Sequence, residues 1–415
     1  MTQHIAIIGA GIVGVSTAIW LQRAGFEVTL IDRRGQAGEA TSHGNGGVLA
    51  SCAMVPVTGP GLLRKAPKML LDRNEPLFLK WRYLPRLAPW LVRYLSHGRA
   101  AETRRIASAL AGIVADSLAD HQALAAGTGA ERWLVPSDYL YIYKDRAGFE
   151  ADAFSWDIRR QHGFRWELLE GNALRAYDPA FSPDLGFAVR MGNHGRIADP
   201  GAYVKALAAH VLANGGRMLK ADITDIVRQG GRVAGLRAGG ETIAADKVVL
   251  AAGAWSGPLA ARLGVRVPLE SERGYHLELW GPSFVPRAPV MIAAGKFVIT
   301  PMEGRLRLAG VVEFGGLDAP PSKAPLALLR RGVRAALPGL TWKREVEWMG
   351  HRPVLTDSIP AIGEVPGLAG AYLAFGHHHI GLTAGPKTGW LIAQMIAGEK
   401  TNLDVGAYSP ARFVR

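Results

Sequence analysis

A chain of 415 residues, 48% hydrophobic and 20% charged, carries enough apolar material for a large core and enough length for about two domains. Its single cysteine, Cys52, excludes a disulfide framework and a cysteine-built metal cluster and fits a reducing compartment. The net charge of +13 is uneven: residues 61–105 hold eleven Lys and Arg against three Asp and Glu. No run of about 18 uncharged apolar residues occurs, so no spanning helix is expected. The apolar N-terminus lacks the basic flank of a signal peptide.

The chain opens with a short apolar run, residues 4–8, that reads as a buried strand. Gly9-Ala-Gly11-Ile-Val-Gly14 follows, then a helical stretch closed by Gly25, then a second strand, FEVTLID, ending at Asp32. Strand, G-x-G-x-x-G, helix, strand and acid within about 30 residues form a dinucleotide-binding unit. Each part has a physical task. Gly9 permits the tight turn, Gly11 lets a pyrophosphate approach the backbone, and Gly14 lets helix and strand pack closely. Ile12 and Val13 open the helix, whose first N–H groups and partial positive charge favour phosphate. Asp32 can accept from ribose hydroxyls, with Arg33 beside it.

Downstream, Thr41-Ser42-His43-Gly44-Asn45-Gly46-Gly47 is a loop of small residues suited to close backbone approach. The basic segment 61–105 mixes its charges with Phe78, Trp81, Tyr83, Trp90 and Tyr94. That mixture suits an anionic membrane surface, though a solvated helix face over a core stripe is the commoner source of such a pattern. No nucleic-acid motif accompanies it. Residues 221–253 alternate as short strands with glycine turns, passing Ile223 and ending at Ala252-Gly253 ahead of Trp255. Such a stretch fits the second cofactor strand of a two-dinucleotide fold and favours FAD over NAD.

Residues 273–279, RGYHLEL, read as a strand. Alternation puts Tyr275 and Leu277 on one face and His276 and Glu278 on the other. Tyr275 is the one expected to face the site. The C-terminal stretch FGHHHIGLTAGPKTGWLIAQMIAG reads as a glycine-rich loop feeding a helix from near Leu382. Gly376, His379, Ile380, Gly381, Leu382 and Thr383 bring that helix N-terminus to the cofactor, where it suits charge developing on a reduced flavin. Three consecutive histidines, 377–379, cannot easily converge on one ion, so no metal is expected.

Taken together, these residues resemble the D-amino-acid oxidase family of FAD-dependent oxidoreductases. The resemblance rests on Gly9, Gly11, Gly14 and Asp32, on Thr41–Gly47, and on Asp199-Pro200. Ala252–Trp255, Arg352-Pro353 and Gly376–Gly389 complete it, in family order over nearly the whole chain. Within the family the chain looks closest to bacterial D-amino-acid dehydrogenases. The resemblance implies an α/β (overall α+β) architecture: a Rossmann-like FAD domain of the two-dinucleotide-binding type, with an interleaved mixed-sheet substrate domain. The FAD domain is expected from 1–55, 193–268 and 348–415. The substrate domain is expected from 56–192 and 269–347, with the helical 61–135 region packed outside its sheet. The resemblance makes Arg352 the carboxylate-binding residue, since a guanidinium forks onto a carboxylate. His377 or His378 is expected on the substrate's amine side.

The expected reaction is oxidative deamination of a D-amino acid by hydride transfer from Cα to flavin N5, with a quinone as acceptor. Glycine, sarcosine or D-proline oxidation with oxygen stays open. The protein is expected in the cytoplasm, in contact with the inner face of the cell membrane through 61–105, with no nucleic-acid partner.

Overall fold

The computed structural model describes residues 2–62, 72 and 75–414. β1 (His4–Ile8) is buried from Ile5 onward and turns at Gly9, whose φ is +109°. α1 (Ile12–Arg23) follows, and β2 (Glu27–Asp32) returns parallel to β1. A parallel return needs a crossover helix on the sheet face, and α1 provides it. β8 (Arg217–Lys220) pairs with β2, and β12 (Lys247–Leu250) pairs with the other side of β1. β18 (Ala361–Glu364) and β19 (Ala371–Phe375) complete a six-stranded sheet ordered β18-β19-β12-β1-β2-β8. All its pairings are parallel except β18 with β19. β9 (Ile223–Gln229), β10 (Arg232–Ala238) and β11 (Glu241–Ala244) form a separate antiparallel sheet.

The second large sheet is mixed and ten-stranded. Its main path uses β3 (Val48–Leu49), β5 (Leu134–Tyr143), β7 (Phe187–Ile197), β13 (Leu269–Trp280), β14 (Val290–Ile292), β15 (Phe297–Met302), β16 (Arg305–Phe314) and β17 (Arg344–Leu355). The order is β17-β13-β16-β15-β14-β5-β7-β3, with β4 (Leu77–Leu79) added on β16 and β6 (Glu167–Glu170) on β7. The helix Lys323–Ala336 covers one face, packing Leu326, Leu329 and Val333 against Leu277, Leu279 and Leu308. The other face carries the site described below.

The helices of the 61–135 region divide between the two layers. The helix Leu84–Ser96 packs beside the mixed sheet, with Trp90 against Phe314 and its indole N–H donating to Pro268 O at 2.9 Å. The helices Ala100–Val114 and Ser117–Ala125 instead join the core around α1 and the last helix, Gly381–Ala397, contrary to the expected placement outside the mixed sheet. Their apolar stripe explains this. Ile106, Leu110, Val114 and Leu124 are fully buried, each contributing about 1.5–3 kcal/mol, against Val15, Ile19, Leu391 and Ile392.

Candidate active site

The glycines of the first motif show why that spacing is required. A Cβ on Gly9 would run into Ala251 O, and one on Gly14 would run into Gly9 O, so both close the strand–helix junction. Gly11 differs: a Cβ there meets only Ser42 Oγ, at 3.3 Å. It therefore keeps a cradle open above the start of α1. Ser42 Oγ accepts from Ile12 N at 3.0 Å, tying the 41–47 loop to that helix N-terminus. Val13 is the next residue of the same turn. Asp32 accepts from Ala10 N at 3.1 Å and Arg34 N at 2.9 Å, which fixes its carboxylate at the end of β2. Arg33 stacks on Trp255 at 4.2 Å, and Trp255 meets His351 edge-on at 5.2 Å. Ile223 starts β9 and is buried, while Ala252 and Gly253 follow β12 with Gly253 at φ +56°. The open cradle at Gly11, the oriented acid and the helix N-terminus are a donor set that fits the pyrophosphate and ribose of FAD.

The 41–47 loop runs from this junction across the second sheet. Thr41 Oγ1 donates to His351 O at 2.7 Å, and Asn45 Oδ1 accepts from Gly47 N at 2.9 Å. Gly44 lies on Trp348, which leaves no room for a Cβ, and Gly46 faces Val298 and Ala309. Arg307 holds the loop from below, donating through Nη1 to His43 O at 2.9 Å and Asn45 O at 2.6 Å. Glu278 accepts from Arg307 and Arg305. Burial alone pushes the Glu278 carboxyl up, but the two guanidiniums outweigh it and hold it at about 2.

At the C-terminal end, Gly376 takes φ +95° and leads to His377 and His378, the latter at φ +37°. His379 and Ile380 complete a short turn before the last helix begins at Gly381. Leu382 O and Thr383 O bond His121 and Ser117, at 2.9 Å each, so the first turn is anchored from behind. His377 is turned into that helix: its Nε2 lies 3.0 Å from Thr388 Oγ1. Burial pushes it down to about 3, so it is neutral. His378 contacts His379 through Nδ1, at 3.0 Å, and its buried Nε2 has no protein partner among the described residues. Burial and then His379 push it to about 3, with Glu272 and Arg352 close enough to act on its charge.

The mixed sheet supplies the rest. Registers align Glu272 with Arg352, Gly274 with Gly350 and His276 with Trp348. Alternation puts all six on one face, the face crossed by Gly44. His276 Nδ1 lies 3.0 Å from Gly44 O and its ring stacks on Trp348 at 4.9 Å. Burial and then Arg307 push His276 to about 3. Arg352 lies flat on Gly274 and bonds Glu272 at 2.7 Å. Tyr275 is on the opposite face, which corrects the expectation that it faces the site. Its hydroxyl donates to Glu313 at 2.7 Å, accepts from Ser322 N at 2.8 Å, and its ring is buried under the helix Lys323–Ala336. The period-two alternation holds, but it is the His276 face that meets the Gly44 loop, while the Tyr275 face is covered by the helix. Glu272, Gly274, Trp348 and Glu278 were also missed. The same period-two reading, extended over LESERGYHLELW, gathers Glu272, Gly274, His276 and Glu278 on one face.

Among the described residues, no three His, Cys, Asp or Glu gather as a metal site, and no helix is long and apolar enough to cross a membrane. Of the basic segment, Arg64, Lys65, Lys68 and Arg73 lie outside the described residues. Arg82, Arg86, Arg93 and Arg99 are exposed, as are Trp81 (58%) and Val92 (69%), whereas Trp90 and Tyr94 are buried.

Residues 4–395 match the model of a family described as FAD dependent oxidoreductase. The chain is 37% identical over 99% of both chains to a D-amino-acid oxidase of Bradyrhizobium diazoefficiens. It is 31% identical, again over 99% of both, to a D-amino acid dehydrogenase of Paramagnetospirillum magneticum. The fold matches the crystal structure of glycine oxidase from Geobacillus kaustophilus with a TM-score of 0.76 and 21% identity, covering all of both chains. With its N-terminal cradle, the small-residue loop and the sheet face beneath it, the chain belongs to the family of FAD-dependent oxidoreductases and takes FAD as its cofactor.

Proposed function

We propose that the protein oxidises a D-amino acid, releasing a 2-oxo acid and ammonia. The single observation carrying this reading is Arg352. It is a partly buried guanidinium lying on Gly274, on the sheet face crossed by the Gly44 loop and beside His378. A carboxylate held there by the guanidinium fork has its Cα oriented by two bonds rather than one. FAD, when bound, would supply the hydride acceptor for the oxidation at Cα. This chain's residues bind and orient the substrate, keep water out, and handle the amine proton. The amine has to lose a proton before it can form the imino acid, which water then hydrolyses. His378, neutral and with a buried unpartnered Nε2, is suited to accept from the amine. Ile380, Gly381, Leu382 and Thr383, at the N-terminus of the last helix, would lie against the electron-accepting ring and favour negative charge there.

The three chain segments 1–55, 193–268 and 348–415 are proposed as the FAD domain. The six-stranded sheet, drawn from residues 4–32, 217–250 and 361–375, supports that division. The short strand β3 and all of β17 belong to the other sheet, which favours boundaries inside those ranges.

For the acceptor, we propose a quinone reached at an anionic membrane face. The exposed Trp81 and Val92 among Arg82, Arg86, Arg93 and Arg99 support it, each basic group near such a surface adding about 1 kcal/mol. Oxygen is the second reading, favoured by the relative that is named an oxidase. Turnover with a soluble quinone analogue against peroxide yield separates the two. For the substrate, Arg352→Lys keeps the charge and loses the planar fork. It is expected to retain FAD and lose on the order of 2–5 kcal/mol of transition-state binding. Unchanged kcat/KM in that variant would remove the carboxylate role.

A further inference from the structure

Glu272 has no part in the expectations drawn from the sequence, yet it stands at the centre of the site. Its side chain is 5% exposed and its Oε1 accepts from Arg352 Nη1 at 2.7 Å. The same guanidinium donates from Nη2 to Gly310 O at 2.5 Å and, at 3.4 Å, from Nη1 to Val311 O. Gly274 lies beneath it, where a Cβ would come within 2.6 Å of Arg352 Cζ. Every hydrogen bond Arg352 makes among the described residues thus goes through Nη1 or Nη2. The Nε–Nη2 edge is the one that can fork onto a second carboxylate. Glu272 lies close enough to act on the charge of both Tyr94 and His378, and Ser358 contacts each of those two residues.

The charge balance of this arrangement has a consequence for selectivity. Arg352 and Glu272 together carry no net charge, and at 15% and 5% exposure they are largely withdrawn from water. A plain carboxylate entering on Arg352 therefore leaves one negative charge in excess in a poorly solvated site, beside the carboxylate of Glu272. An amino acid brings its own cationic amine and restores the balance. A 2-oxo acid, the product of the reaction proposed above, has lost that amine. Resting on the carboxylate role of Arg352, we infer that Glu272 is a specificity-determining residue. It orients the Arg352 guanidinium and, by neutralising it beforehand, makes the site select acids that carry an amine over acids that do not.

The test uses the holoenzyme and a matched pair of ligands: the D-amino acid turned over fastest, and the same acid without its amine. Affinity for the amino acid is read from half-saturation of anaerobic flavin reduction. Affinity for the analogue is read from perturbation of the flavin absorbance and from competitive inhibition. Wild type is expected to prefer the amino acid by at least about tenfold. Glu272→Gln should tighten the analogue by about tenfold and weaken the amino acid, collapsing the ratio, while Glu272→Asp should preserve it. A wild-type ratio near one, or a ratio that Glu272→Gln leaves unchanged, overturns the inference. If Glu272→Gln loses its flavin, the wild-type and Glu272→Asp ratios decide, a preference kept in both supporting the inference and its absence refuting it. Arg352→Lys separates the two levels. If it leaves both affinities unchanged, the carboxylate reading itself has failed. If it weakens both ligands while Glu272→Gln leaves their ratio alone, only the role of Glu272 has failed.

Discussion

Tyr275→Phe is a sharp test of which face of β13 serves the site. The substitution removes one hydroxyl and nothing else. That hydroxyl donates to Glu313 at 2.7 Å and accepts from Ser322 N at 2.8 Å, in a spot 1% exposed. Glu313 keeps other partners: Arg273 Nη1 at 3.1 Å and the hydroxyl of Ser322 at 2.5 Å. The lost bond to it is therefore partly compensated. Ser322 N precedes the helix Lys323–Ala336 and loses its side-chain acceptor. One charge-assisted bond partly compensated plus one buried backbone donor left short amounts to about 1.5–3 kcal/mol of stability. The assay is thermal unfolding of the holoenzyme together with steady-state kinetics on D-amino acids. The expected outcome is a lower unfolding temperature with KM and kcat close to wild type. A KM raised more than about tenfold with unchanged stability would return Tyr275 to the substrate and refute the face assignment.

Two further outcomes follow from the same geometry. Gly11→Ala should fold and lose flavin affinity, because the added Cβ meets only Ser42 Oγ in the protein yet enters the pyrophosphate cradle. Flavin content against unfolding temperature checks it, and a variant that holds flavin as tightly as wild type would contradict it. Stability should fall as pH drops from about 6.5 toward 4, since burial holds His276, His377 and His378 at about 3 and His121, His351 and His379 at about 4. These folded values lie below the unfolded value, so the unfolded chain takes up protons first and the native state loses ground through that window. Equal denaturant midpoints at about pH 7.5 and about pH 5 would contradict the assignment.

The cofactor end was legible because its residues act locally. Gly9, Gly11, Gly14 and Asp32 sit within one strand–helix–strand unit, so spacing alone predicts their geometry. The loop 41–47 stands out in the sequence as a run of small residues, but the residues that hold it do not. The face proposed for the substrate was only half legible. Arg352 could be picked out, but its partner Glu272 lies 80 residues away and meets it only through the register of β13 with β17. Trp348 under Gly44 and Arg307 under His43 and Asn45 are long-range packing of the same kind. The helices at 100–125 show another limit. Their apolar stripe predicts burial, but not which of two sheets they bury against. Within 61–105, charge and aromatics read as one surface, yet Trp90 and Tyr94 point inward while Trp81 stays exposed.

Anaerobic mixing of the purified yellow protein with matched D- and L-amino acids, followed by loss of flavin absorbance, tests the central claim most directly. Bleaching by neutral D-amino acids, much faster than by their L-enantiomers and lost in Arg352→Lys at the same concentrations, is the result predicted. Equal rates with both enantiomers, or bleaching only by amines that lack a carboxylate, would contradict it.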